Sequence, residues 1–138
     1  MQTVAGVAES RGLPIVQIEE LRERPIKGLD YRLSEQELLQ GIERSFEDKD
    51  YCLTGGETTR QAQERAIPVI QRLLDEHAGK GIAIGTHGNI MTIVMNYYDD
   101  KYGYSFWEST SMPDIYELTF EGQELVRVGR LWGARPKA

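Results

Sequence analysis

Gly81-Ile82-Ala83-Ile84-Gly85-Thr86-His87-Gly88-Asn89-Ile90 is the stretch whose reading decides the fold of this 138-residue chain. Its first half is a short apolar run, the pattern of a buried strand, and beyond it Ile90, Ile93, Val94 and Tyr97 recur at helical spacing. A strand that passes into a helix is the β-to-α half of an α/β unit. It sets Thr86-His87-Gly88-Asn89 at the helix N-terminus, where free backbone N–H groups and the helix dipole favour an anion. Phosphate is the expected ligand. Gly88 allows close approach to the backbone, and Asn89 offers a donor in the first helical turn.

Upstream of that stretch, Thr58 with Gln61 forms a capping box for a helix carrying Ala62, Ala66, Ile70, Leu73 and Leu74 and ending near Gly79. Pro68 lies inside it and removes one backbone hydrogen bond, at a cost of about 3 kcal/mol in an ideal helix, so a kink is expected near residues 64–68. Gly55-Gly56 closes a polar loop before this helix. Ser34 with Glu37 makes a second capping box, and Leu38, Leu39, Ile42 and Phe46 share one face of a helix over residues 34–47. Farther back, Leu13-Pro14-Ile15-Val16-Gln17-Ile18 reads as a buried strand after a helix bearing Val4, Val7 and Ala8 and closed by Gly12. Downstream, residues 99–113 are aromatic and turn-rich, and residues 115–120 and 125–131 alternate as two strands about Glu121-Gly122-Gln123. The order is helix, strand, helix, helix, strand, helix, strand, strand. No repeat or linker interrupts it, so residues 1–138 read as one three-layer α/β domain.

Composition narrows the function. Hydrophobic residues make up 40% of the chain, enough for a modest core. The formal net charge is −6, from 16 Lys plus Arg against 22 Asp plus Glu, with no basic cluster to track a nucleic-acid backbone. Nucleic acid is not an expected partner. No apolar stretch approaches the ~20 residues of a membrane span. Residues 1–12 lack the pattern of a signal peptide, and the single cysteine, Cys52, has no internal partner, so a cytoplasmic setting is expected. His77 and His87 stand ten positions apart without zinc-type spacing, so neither a metal nor another cofactor is expected. Cys52 lacks the glycine-rich, arginine-closed loop of a thiol nucleophile.

Two groups carry chemistry. A neutral imidazole at His87 suits proton transfer or attack on phosphorus, a protonated one stabilises transferring oxygens, and a purely structural histidine satisfied by backbone has the same local sequence. Glu19-Glu20-Leu21-Arg22-Glu23-Arg24 follows the first expected strand and so shares the carboxyl-end rim with His87, although a solvated face would read alike. Glu23 is the candidate acid for a leaving oxygen, and Arg24 the candidate bidentate grip on a phosphoryl group.

Leu21-Arg22-Glu23-Arg24 followed by Gly28, Gly55-Gly56-Glu57-Thr58 opening a helix with Glu64-Arg65, and Thr86-His87-Gly88-Asn89 resemble, in order and spacing, the histidine phosphatase superfamily, the phosphoglycerate mutase-like clan. The resemblance covers nearly the whole chain. It implies a three-layer α/β/α fold with a mostly parallel sheet and an antiparallel C-terminal strand. It also implies phosphomonoester chemistry through a phosphohistidine, without a cofactor. Residue by residue, His87 is similar to the family's second histidine, which stabilises the transferring phosphoryl group. Glu23 resembles the general acid and base, Arg24 a substrate-contacting arginine, Gly88 and Asn89 the turn after the histidine, and Glu57 the acidic residue at a helix start.

One departure stands out. Nothing in the sequence resembles the Arg-His-Gly segment that supplies the family's nucleophile, and Met1-Gln2-Thr3-Val4-Ala5 reads as the tail of a further arginine-bearing motif. The resemblance therefore implies an N-terminally truncated domain without its first two strands and with little or no activity. Exposed strand edges would then be completed by a homo-oligomer, since unpaired buried backbone groups cost roughly 1–3 kcal/mol each. The alternative is a non-catalytic module that binds phosphate or a phosphorylated small molecule, or that assembles with copies of itself. A phosphatase and a mutase, and the substrate of either, read alike here.

Overall fold

A computed structural model of the chain describes residues 12, 16–29, 31–111 and 114–131. The expected helix over residues 1–12 lies outside these, apart from Gly12, as do residues 13–15 of the first expected strand. The rest of that segment, residues 16–18, belongs to neither helix nor strand and leads into a 3₁₀ turn at Glu19–Leu21.

Helix α1, Glu35–Glu47, begins where its capping box dictates: Glu37 N–H donates to Ser34 Oγ at 3.1 Å and Ser34 N–H to Glu37 Oε1 at 3.2 Å. Helix α2, Thr59–Glu76, repeats the device, with Gln61 N–H to Thr58 Oγ1 and Thr58 N–H to Gln61 Oε1, both at 3.0 Å. Each cap contributes about 1 kcal/mol by occupying donors that helical geometry leaves free. Pro68 sits exposed within α2, and the helix runs on past it to Glu76. The following turn carries Gly79 at a φ of 76°, which costs only glycine nothing. Helix α3, Gly88–Tyr98, starts with His87 as its cap residue. Helix α4, Tyr104–Ser109, is a six-residue element within the aromatic stretch, where turns and no helix were expected.

The core joins the first three helices. Ile42 and Phe46 of α1, Ala62 and Ala66 of α2, and Ile90 and Ile93 of α3 form one buried cluster, flanked by Leu21, Ile26, Tyr104 and Trp107. Ala62, Ala66 and Ile93 are fully buried, and the two alanines let α2 and α3 approach closely.

Strands β1, Tyr116–Glu121, and β2, Glu124–Arg130, pair antiparallel, with Leu118 opposite Val128 and an irregularity between Thr119 and Phe120. Gly122, at a φ of 62°, makes the turn that the sequence places there. The hairpin docks through ring contacts, Phe120 on Tyr98 and Tyr116 on Phe106, each with centroids 5.1 Å apart. Gln123 Nε2 ties its tip to α2, donating to Gln71 O and Asp75 Oδ1.

The α/β character of the chain stands in these helices and this hairpin. The strand expected at residues 81–86 is not formed, because among the described residues no strand lies beside it and the hairpin strands pair only with each other. Ile82 and Ile84, expected to be buried, are 40% and 44% exposed. A strand exists only through its neighbour's backbone, so an apolar pattern alone does not make one.

Candidate functional site

The helix start at Gly88 is where the sequence motifs meet. The Glu23 carboxylate reaches across from the segment after the 3₁₀ turn. Its Oε1 accepts from Ile90 N–H at 2.8 Å, and its Oε2 from Asn89 N–H at 3.3 Å. Oε1 also accepts from Arg24 N–H at 2.8 Å. The anion drawn to this helix end is thus the chain's own Glu23, which takes two of the donors that the sequence reading assigns to phosphate. Gly88 N–H keeps no acceptor among the described residues.

Arg24 turns the other way. It is 3% exposed, and its guanidinium donates to Asn89 Oδ1 at 3.0 Å, Thr59 Oγ1 at 2.8 Å and Ser45 Oγ at 2.9 Å. One side chain therefore links α1, α2 and α3, lying over the Phe46 ring at 5.3 Å. Both hydroxyls can accept because each gives its proton elsewhere, Ser45 Oγ to Ile42 O and Thr59 Oγ1 to Ser45 O, both at 2.6 Å. Burial lowers the Arg24 pKa to about 10 against the attraction of Glu23 and Glu57. With its donors spent in the core, Arg24 makes no outward contact of the kind expected of a substrate arginine. Its role in this geometry is to hold Asn89, Thr59 and Ser45 together behind the helix start.

Glu57 performs a related task one layer out. Arg65 grips its carboxylate with two bonds of 2.8 Å and donates from its third nitrogen to Glu20 O at 2.7 Å and Arg22 O at 2.9 Å. The pair is largely shielded, at 12% and 15% side-chain exposure, so solvent weakens it little. It fastens the loop that delivers Glu23. Gly55 and Gly56 permit this loop, since a Cβ on Gly55 would sit 2.5 Å from Gly28 Cα, and Gly28 N–H donates to Thr54 O at 2.7 Å.

His87 is exposed, and its imidazole makes no hydrogen bond among the described residues. Trp107 and Thr110 stand by the adjoining Gly88: a Cβ there would lie 3.3 Å from Thr110 Oγ1 and 3.8 Å from Trp107 Nε1. His77 is elsewhere. It caps the far end of α2, separated from Thr59 by about 27 Å of helix at 1.5 Å per residue. Among the described residues no group of His, Cys, Asp and Glu side chains could hold a metal ion, and no helix is long and apolar enough to cross a membrane.

The fold thus gathers Glu23, His87, Gly88 and Asn89 at one helix end and turns Arg24 inward behind them. Ser45, Thr59 and Trp107 escape the sequence reading. Ser45 left a faint sign as a small hydroxyl on the Ile42 and Phe46 stripe, whereas nothing local tells that Thr59 or Trp107 approach the motif.

An α/β protein with an open histidine at a helix start, backed by a capping glutamate and a buried arginine, defines a class of site. The chain belongs to the histidine phosphatase superfamily (branch 1), whose family model matches residues 1–129. No curated protein and no solved structure matches it.

Proposed function

We propose that the chain binds the phosphoryl group of a phosphomonoester, or phosphate ion, at His87, with Gly88 and Asn89 as the adjoining turn. The observation that carries this reading is the exposed imidazole of His87, without a hydrogen bond among the described residues, at the start of α3 in a member of this superfamily. Glu23 is the acid and base candidate of that site, its carboxylate held beside His87 by the N–H groups of Asn89 and Ile90. Arg24 and the Glu57–Arg65 pair position it. Turnover by this chain is weak or absent, because the 138 residues contain no second His-Gly to serve as nucleophile.

The test joins two measurements on the full chain. Inorganic phosphate should shift the His87 imidazole resonances in the wild type and leave the spectrum of His87→Ala unchanged. Hydrolysis of an aryl phosphate should stay near background for both. An unmoved His87 overturns the binding reading, and His87-dependent hydrolysis overturns the claim of weak turnover.

A second element concerns assembly. Ile82 and Ile84 are exposed on a segment that has no strand beside it among the described residues, which supports a homo-oligomer in which residues 81–86 gain strand neighbours and the three-layer, mostly parallel sheet is completed. Light scattering should give a mass above one chain, and Ile84→Lys should lower it. A compact monomer refutes this.

A further inference from the structure

We propose that the indole N–H of Trp107 is a second oxygen-binding donor of the His87 site, directed at the phosphoryl group of a phosphomonoester; this rests on the phosphate reading of His87. Trp107 Nε1 lies 3.8 Å from the point where a Cβ on Gly88 would stand, so the nitrogen borders the space beside the residue that follows His87. It has no acceptor among the described residues. Nor is it sealed from solvent, since the fully buried side-chain atoms lacking a partner there are Asn89 Nδ2 and Tyr98 OH. An indole nitrogen is only ever a donor, so an open one beside Gly88 is free to exchange water for a ligand oxygen.

The donor is also held still. The Trp107 ring packs against the helical core and tilts over Tyr104 at 5.8 Å, and Trp107 N–H and O are both bonded, to Gly103 O and from Thr110 N–H, each at 3.0 Å. A fixed donor loses little entropy when it binds. Gly88 N–H, the backbone donor next to His87, likewise has no acceptor among the described residues. The proposed donors to phosphoryl oxygens are then the imidazole of His87, the amide of Gly88 and the indole of Trp107. The indole adds a donor where Glu23 already takes the N–H groups of Asn89 and Ile90 at this helix end. The absence of a Cβ at position 88 is what leaves the space between Gly88 and Trp107 Nε1 open.

The experiment is titration of the full chain with inorganic phosphate, watching the tryptophan indole N–H resonances, with Trp107→Phe used to assign the Trp107 signal and distinguish it from Trp132. Phosphate is expected to move the Trp107 signal along the same saturation curve as His87, and Trp107→Phe, which keeps the ring, to weaken phosphate binding roughly tenfold, as loss of one hydrogen bond to a charged ligand implies. If His87 responds while the Trp107 indole stays fixed and Trp107→Phe binds as the wild type does, the Trp107 assignment is overturned and the His87 reading stands. If neither signal moves, the His87 reading has failed and this inference falls with it. Trp132→Phe makes the same assignment with Trp107 intact, so the indole measurement decides even where Trp107→Phe folds poorly.

Discussion

Replacing Arg24 by alanine tests the account of the site at its centre. Three buried acceptors, Asn89 Oδ1, Thr59 Oγ1 and Ser45 Oγ, lose donors at 2.8–3.0 Å, about 1 kcal/mol each. Truncation also removes the guanidinium from the Phe46 ring and opens a void worth about another 1–2 kcal/mol. Against this stands relief from burying the charge, the desolvation that lowers the Arg24 pKa. The net loss is expected to be about 2–4 kcal/mol, a large part of a typical 5–15 kcal/mol stability. In urea unfolding followed by circular dichroism, a slope of about 2 kcal/mol per molar converts that to a midpoint lower by about 1–2 M. Arg24→Lys keeps the charge but has no planar fork to reach three acceptors on three helices, so it should restore little. If alanine costs under about 0.5 kcal/mol, or lysine matches the wild type, the claim that Arg24 acts as a strut is refuted.

Burial pushes the Tyr98 phenol up to about 12 from its usual value near 10, so the folded chain holds that proton longer than the unfolded one. The associated stability is full below pH 10 and is lost as pH climbs from about 10 towards 12. Tyr98→Phe should flatten this alkaline decline and, by deleting a buried hydroxyl without a partner, leave stability at pH 7 unchanged or raised by up to about 1 kcal/mol; a loss of that size there contradicts it. Arg65→Met should destabilise by about 1–3 kcal/mol and speed amide hydrogen exchange over residues 20–24, where Arg65 holds the carbonyls of Glu20 and Arg22. Unchanged exchange in that loop would show that the Glu57–Arg65 pair does not anchor it. Gly55→Ala, with its φ of 80° and Gly28 Cα 2.5 Å from the new methyl, should cost more than about 2 kcal/mol in thermal melts, whereas Gly81→Ala, which meets nothing within 4 Å, should stay within about 0.5 kcal/mol.

The elements legible in the sequence are those with local causes. Ser34 with Glu37, and Thr58 with Gln61, fix the starts of α1 and α2 within a single turn of chain, and Glu121-Gly122-Gln123 brings β1 and β2 together over a few residues. Helix α4 was hidden because Tyr104 and Trp107 are held by packing on the core and not by a cap or strong propensity. At the site, Thr86-His87-Gly88-Asn89 correctly marks a helix start, yet the partner that satisfies it stands 67 residues away, where Glu23 meets Ile90 N–H. Arg24 read as an outward grip because an arginine in a charged run usually faces water. Only the juxtaposition of Ser45, Thr59 and Asn89 makes its burial favourable.

By itself, the sequence determined helices α1, α2 and α3, the hairpin, the superfamily and the place of His87 at a helix start, since caps, periodicity and motif order act over short stretches of chain. Tertiary structure alone decided which anion occupies the start of α3, which way Arg24 points, that Trp107 stands beside Gly88, and that residues 81–86 have no strand beside them among the described residues. Those outcomes depend on backbone and side-chain groups far apart in the chain, whose pairing no local pattern encodes.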